Sequence, residues 1–177
     1  MKFTETSLEG AYIIEIDPIE DDRGFFARTW CHHEFEEQGL NTKIAQCSTS
    51  FNSRKGTLRG MHYQDKPFQE TKVVRCIMGA VYDVIVDLRV ESPTYLKWIS
   101  IELTAINRKM VYIPVGFAHG FQSLEDNTEV FYQISEFFKP ELSRGIRWND
   151  QAFGFTWPIQ QCIMSERDKN FPDFVSQ

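Results

Sequence analysis

The sequence predicts an all-β sandwich or barrel. Short apolar runs bounded by turn residues recur at intervals of about 8–12 residues along most of the chain. Almost no segment carries the 3.6-residue period of an amphipathic helix. Aromatic residues make up 14% of the chain, with fifteen Phe, and such side chains favour strands and pocket linings. At 177 residues, without a linker, repeat or low-complexity segment, the chain reads as one domain over residues 1–177, burying roughly two-thirds of its unfolded surface.

The elements follow in order. Tyr12 to Ile16 reads as the first strand. A short helix is expected over His33 to Gln38, stopped by Gly39. Lys43 to Ser50 alternates loosely, and Thr57 to Gln64 forms a strand after Lys55-Gly56. Val73 to Met78 and Val81 to Arg89 flank Gly79-Ala80, the two-residue spacing of a β-hairpin. The second of these strands is apolar on both faces, through Tyr82, Val84, Val86 and Leu88 on one and Val81 and Ile85 on the other. It should therefore be central and covered on both sides. Ser92-Pro93-Thr94 turns the chain into Trp98 to Leu103. Met110 to Ile113, Gly120 to Leu124 and Thr128 to Ser135 complete the strands. The last forty or so residues, broken by Pro140, Pro158 and Pro172, are expected to cover the barrel with short helices.

Composition excludes several functions. A formal net charge of −6 argues against a nucleic-acid partner, which requires a basic face. Cys31, Cys47, Cys76 and Cys162 show no paired spacing and no secretory leader precedes them, so reduced thiols in a cytoplasmic protein are expected. No apolar run approaches the ~20 residues that span a bilayer. A phosphate-cradling glycine loop, a GxSxG elbow and a cysteine nucleophile signature are all missing.

Candidate chemistry centres on two histidines. His62 lies in Arg59-Gly60-Met61-His62-Tyr63-Gln64 and His119 in Gly116-Phe117-Ala118-His119-Gly120-Phe121, both beside glycine in apolar strand context. Alone, His62 reads either as a core histidine bonded to a backbone carbonyl or as a general base matched to neutral pH. Asp168, in Ser165-Glu166-Arg167-Asp168, is a helix-start residue or a carboxylate that orients the imidazole. Tyr132 shares a strand face with Val130 and Ile134, so its phenol is either a core tip or a proton donor inside the barrel. Arg23, Arg59, Lys72, Arg75 and Arg147 fall within or beside strands. Several cations converging in a chain of net negative charge suit an anionic ligand such as a diphosphate. His62, Glu70 and His119 are a thin metal set, because Gln64 stands where a second ligand is usual, and His32-His33 diverge on a helix start.

Many ordered motifs then closely resemble the dTDP-4-dehydrorhamnose 3,5-epimerase family. They are Asp22-Arg23-Gly24-Phe25-Phe26, Leu58-Arg59-Gly60-Met61-His62-Tyr63-Gln64, Tyr82-Asp83-Val84-Ile85-Val86-Asp87-Leu88-Arg89, Ser92-Pro93-Thr94, Ile113-Pro114-Val115-Gly116-Phe117-Ala118-His119-Gly120-Phe121, Arg147-Trp148-Asn149-Asp150 and Trp157-Pro158 with Ser165-Glu166-Arg167-Asp168. The resemblance implies a cupin-type jelly-roll barrel with short peripheral helices, a homodimer, and a metal- and cofactor-independent epimerisation of a nucleotide-linked 4-keto-6-deoxyhexose. It implies His62 as base, Asp168 as its dyad partner and Tyr132 as proton donor. Arg23 and Arg59 then resemble diphosphate or sugar contacts, Lys72 and His119 lie near the keto sugar, and Gln46, Arg147 and Arg167 join the substrate contacts.

The chain departs from the family pattern at Arg28, where Glu is usual, at Gln46-Cys47-Ser48, at Ser143 in place of Glu, at Arg167 in place of Lys, and at Phe137-Phe138 in place of a tyrosine pair. These departures predict conserved chemistry with altered nucleotide recognition. A single-carbon epimerase or isomerase, and a non-catalytic ligand- or metal-binding cupin, are the alternatives.

Overall fold

The computed structural model describes residues 1–175. Its strands are β1 (Lys2–Glu5), β2 (Tyr12–Glu15), β3 (Ile19–Asp21), β4 (Gly24–Phe26), β5 (Gln46–Asn52), β6 (Leu58–Gln64), β7 (Lys72–Met78), β8 (Ala80–Asp87), β9 (Trp98–Thr104), β10 (Met110–Ile113), β11 (Phe117–Ser123), β12 (Thr128–Ile134) and β13 (Ser143–Gly145). Two short helices, α1 (His32–Glu37) and α2 (Glu166–Lys169), and one 3-10 turn (Pro140–Leu142) complete the elements. One sheet runs β1-β2-β10-β7-β12-β5, the other β13-β6-β11-β8-β9, and β3-β4 stands as a separate hairpin. The expected all-β fold, a sandwich or barrel, is thus observed, as two facing antiparallel sheets. No described helix is long and apolar enough to cross a membrane.

Side-chain alternation builds the core in layers. Val74 and Cys76 of β7 and Val130 of β12 face Val81 and Ile85 of β8 and Phe117 and Phe121 of β11 between the sheets. Each large buried apolar side chain there contributes about 1.5–3 kcal/mol relative to exposure. The opposite face of β8 places Val84 and Val86 against Phe153, Phe155 and Trp157 of the C-terminal segment. That strand is central and covered on both faces, as its pattern requires. Irregular chain rather than helix supplies most of the outer cover. Its indole groups are tied down, Trp98 Nε1 donating to Phe153 O at 2.9 Å and Trp157 Nε1 to Trp148 O at 2.8 Å. Phe35 of α1 plugs the outer face of the larger sheet beside Ile14, Val73, Met110 and Tyr112.

The hairpin expected at Gly79-Ala80 does not form. β7 pairs with β10 and β12, while β8 pairs with β11 and β9, so the two strands belong to different sheets. Gly79, at φ +75°, carries the chain between layers, and a Cβ there would lie 2.5 Å from Thr128 Oγ1. The crossing lets the apolar residues of both strands bury against each other across the core, which a two-stranded ribbon leaves half exposed. Strands β1, β3, β4 and β13 escaped the sequence reading because they span only three or four residues and lack apolar alternation.

Candidate active site

A cavity of about 550 Å³ opens at one end of the sandwich, large enough for a drug-sized ligand. One wall belongs to β6 and β11 of the smaller sheet, the other to β5, β7 and β12 of the larger. On the first wall His62 lies directly opposite His119 in the strand pairing, while Arg59 lies opposite Phe121. Three residues of β6 therefore span two of β11, which is a β-bulge. The bulge breaks simple alternation, so that Arg59 and His62, three apart, both face the cavity. Gly60, at φ +124°, makes it possible: a Cβ there would lie 2.5 Å from Gly120 Cα.

Asp168 locks this irregularity. Its Oδ2 accepts from the Gly60 N–H at 3.4 Å and its Oδ1 is 2.8 Å from His62 Nε2. Ser165 caps α2, its Oγ accepting from the Asp168 N–H at 3.1 Å, and thereby aims the carboxylate inward. Burial pushes the Asp168 carboxyl upward, but its contact with His62 and the Gly60 N–H outweigh it and hold the group below its ordinary value of 3.8. An ionised carboxylate only accepts, so Nε2 carries the imidazole hydrogen and Nδ1 keeps its lone pair. Phe171 packs edge-on against His62 with centroids 5.9 Å apart. Gly145, paired with His62 on β13, leaves the space that the Phe171 ring fills.

Tyr132 stands on the facing wall, its hydroxyl 3.2 Å from Ser50 Oγ. Burial raises its pKa well above 10, with the Ser50 bond pulling the other way, so the phenol holds its proton at neutral pH. Lys72 Nζ pairs with Glu70 Oε1 at 2.9 Å, and both side chains are only 12% exposed. His119 Nε2 is 2.7 Å from Asp83 Oδ2. Burial pushes the Asp83 carboxyl upward, opposed by His119. Arg59 is held by Asn52 Oδ1 at 2.8 Å and Phe51 O at 3.2 Å, with its guanidinium along the cavity.

The fold gathers His62, Tyr132, Asp168, Gln46, Arg59, Lys72, His119 and Arg167 at or beside this cavity. Arg23 and Arg147 are exceptions. Arg23 sits at the turn of the β3-β4 hairpin, its side chain 90% exposed and paired with Asp21, outside the cavity lining. A solvated turn, rather than an apolar wall, surrounds it. Arg147 bonds Asn149 and Asp173 and also lies outside the lining. Its strand-adjacent position turned the side chain to the surface. Among the departures, Ser48, Ser143, Arg167 and Phe138 line the cavity, and Arg167 donates to Ser143 Oγ at 2.8 Å. Arg28 does not: it pairs with Glu34 of α1 at 3.1 Å.

The profile described as dTDP-4-dehydrorhamnose 3,5-epimerase matches residues 5–176. The chain belongs to this family. A Shigella flexneri protein named dTDP-4-dehydrorhamnose 3,5-epimerase is 40% identical over 176 residues, covering 99% of this chain and 97% of its own. The Bacillus anthracis enzyme of that name, solved with TDP and PPi bound, superposes with a TM-score of 0.95 at 36% identity, covering 98% and 99% of the two chains. ChmJ, a 3'-monoepimerase from Streptomyces bikiniensis solved with dTDP-quinovose, superposes at 0.88 with 30% identity, covering 95% and 85%. One fold thus hosts both the double epimerase and a single-carbon relative, which keeps the number of inverted carbons a property of the pocket.

Sequence reasoning missed Ser50, Asp83 and Glu70 as partners of Tyr132, His119 and Lys72. Asp83 had a signal, a lone acid inside the apolar run of β8; Ser50 had only its alternation with the polar Ser48 and Gln46 along the same strand. Replacing Asp168 with Asn keeps the shape but removes the negative charge and leaves one acceptor oxygen for two donors, the Gly60 N–H and His62 Nε2. Steady-state kinetics should show kcat reduced by about 10²–10⁴-fold, with KM changed far less.

Proposed function

We propose that this protein epimerises a nucleotide-linked 4-keto-6-deoxyhexose at C3 and C5, of the dTDP-4-dehydro-6-deoxy-glucose to dTDP-4-dehydro-rhamnose type. The observation that carries the reading is the His62–Asp168 pair on one wall of the cavity and the Tyr132 phenol on the other. A C4 ketone acidifies the hydrogens at C3 and C5, because loss of either gives an enolate delocalised onto the C4 oxygen. His62 Nδ1 takes the proton, and Asp168 stabilises the imidazolium. Lys72 supplies positive charge for the enolate oxygen, the kind of electrostatic term that usually dominates. Tyr132 then delivers its own proton to the opposite face of the carbon. Inversion requires base and acid on opposite sides of the ring, and two sheets provide them.

In deuterated water with this sugar nucleotide, NMR should find label at both C3 and C5. Label at one carbon supports a single-site epimerase; none at either supports a binding module. Tyr132→Phe separates the two half-reactions. It should retain exchange catalysed by His62 while inversion falls by about 10²-fold or more; loss of exchange together with inversion would displace Tyr132 as the acid.

The nucleotide handle is the second part of the proposal. Arg59 and Arg167 are the guanidinium groups of the cavity lining and suit the diphosphate, while Gln46, Ser48, Phe138 and Ser143 reach the base. With Ser143 and Arg167 bonded to one another, this rim offers a hydroxyl and a guanidinium toward the nucleotide. The base preference should therefore differ from that of the Shigella relative. Parallel kcat/KM measurements on dTDP-, UDP-, CDP- and GDP-linked 4-keto sugars check it, and identical rank order in both proteins counts against it.

A homodimer is the proposed assembly. Ile19 and Phe26 on the β3-β4 hairpin are each 73% exposed, and among the described residues the hairpin pairs with no other strand. A second copy covering this hairpin buries those side chains and carries Arg23 away from its solvated turn toward the partner's diphosphate. All four cysteines are unpaired, which fits a reducing cytoplasm. Light scattering on the parent protein should give twice the chain mass, and Phe26→Asp should shift it toward monomer; a monomeric parent would refute the assembly.

A further inference from the structure

Tyr132 loses a proton each time it acts, and its surroundings restrict how it can recover one. Arg59 is already committed to Asn52 and Phe51, and its guanidinium does not deprotonate. The Lys72 ammonium is held by Glu70, and His119 Nε2 by Asp83. Among the described residues, the one hydrogen-bond partner of the phenol is Ser50 Oγ, at 3.2 Å. Ser50 is partly buried on β5, while Ser48, two residues earlier on that strand, is exposed; both line the cavity. Residues two apart on a strand share a face and stand about 6.8 Å apart, the span of one bridging water. Gln46, Ser48 and Ser50 thus form a polar stripe from the cavity rim to the buried phenol.

We propose that Ser50 is a positioning residue that returns the proton to Tyr132 after each inversion. The inference rests on the epimerase reading above. His62 Nδ1 accepts the proton from the breaking C–H bond and later releases it to water. The Tyr132 O–H bond breaks as the new C–H bond forms, leaving a phenolate. Ser50 O–H then passes its proton to the phenolate oxygen while Ser50 Oγ takes one from water along the stripe. No electrons are transferred, and each cycle takes up and releases one proton. Two inversions in one sugar require two such deliveries, so recharging lies between them.

The test compares the parent, Ser50→Ala and Ser50→Thr in rapid-quench and steady-state reactions with dTDP-4-dehydro-6-deoxy-glucose. Ser50→Ala should give a burst of about one inverted carbon per active site at the parent rate. A slow phase should follow, with kcat down about tenfold, the scale of one lost hydrogen bond, KM unchanged and the singly inverted sugar accumulating. Ser50→Thr, which keeps the hydroxyl, should restore the parent pattern. Parent-like kcat and product ratio in Ser50→Ala would overturn the relay, as would a Ser50→Thr variant as slow as Ser50→Ala. Should circular dichroism show Ser50→Ala unfolded, Ser50→Gly carries the same comparison. A parent that exchanges neither carbon sinks the epimerase reading itself and the relay with it, whereas an active parent with an indifferent Ser50→Ala sinks only the relay.

Discussion

The site depends on one irregularity, the β-bulge that Asp168 holds in β6. A regular strand would send Arg59 and His62 to opposite faces, because side chains alternate. The extra residue at Gly60–Met61 removes that parity and leaves a backbone N–H outside the ladder. A buried donor of that kind needs an acceptor, and the Asp168 carboxylate supplies it while also fixing His62. One carboxylate therefore satisfies the defect and orients the His62 imidazole. The close approach of Gly60 to Gly120 explains why both histidine motifs carry glycine: any Cβ at either place would meet backbone or Met61 Sδ below 3 Å.

Charge is arranged on the same economy of partners. The chain is acidic overall, with formal charge −6, yet its cavity presents arginine, lysine and histidine. Lys72 is matched by Glu70, His119 by Asp83 and His62 by Asp168. Burying a lone ammonium costs several kcal/mol even after relaxation, so Glu70 holds Lys72 in place, while Asp83 and Asp168 orient the imidazoles they bond. Arg59 and Arg167 are held instead by neutral oxygens of Asn52, Phe51 and Ser143. Their charge stays available for an anion.

The gathering of His62, Tyr132 and Asp168 at one cavity and most strand spans were legible in the sequence, because those features are local. His62, Tyr132 and Asp168 lie in distinctive motifs, and apolar alternation marks β8 and β12. What stayed illegible is long-range. Whether Arg23 reaches a pocket depends on where a short exposed hairpin projects, and nothing in Asp22-Arg23-Gly24 encodes that. Arg147 looks like its neighbours in sequence yet turns to Asp173, a partner 26 residues on. Arg28, which stands where the family pattern has Glu, is absorbed by Glu34 on α1, while Ser143 and Arg167 meet at the cavity rim.

The most instructive misreading is the turn at Gly79-Ala80. Two apolar strands joined by two residues satisfy every local rule for a hairpin, and local rules cannot see the second layer. Because Gly79 crosses between sheets, β7 takes Lys72 to the wall of Tyr132, and β8 takes Asp83 to the wall of His119 and His62. Had the two strands paired, Lys72 and Asp83 would share one sheet, and the Lys72–Glu70 and His119–Asp83 pairs would lie on a single surface. An inverting reaction needs a proton removed from one face of a carbon and another added to the opposite face. The same crossing that buries Val74 and Ile85 against each other thus puts the Tyr132 phenol and the His62 imidazole on different sheets, so the packing of the core and the two-walled cavity that the proposed inversion requires follow from one chain reversal.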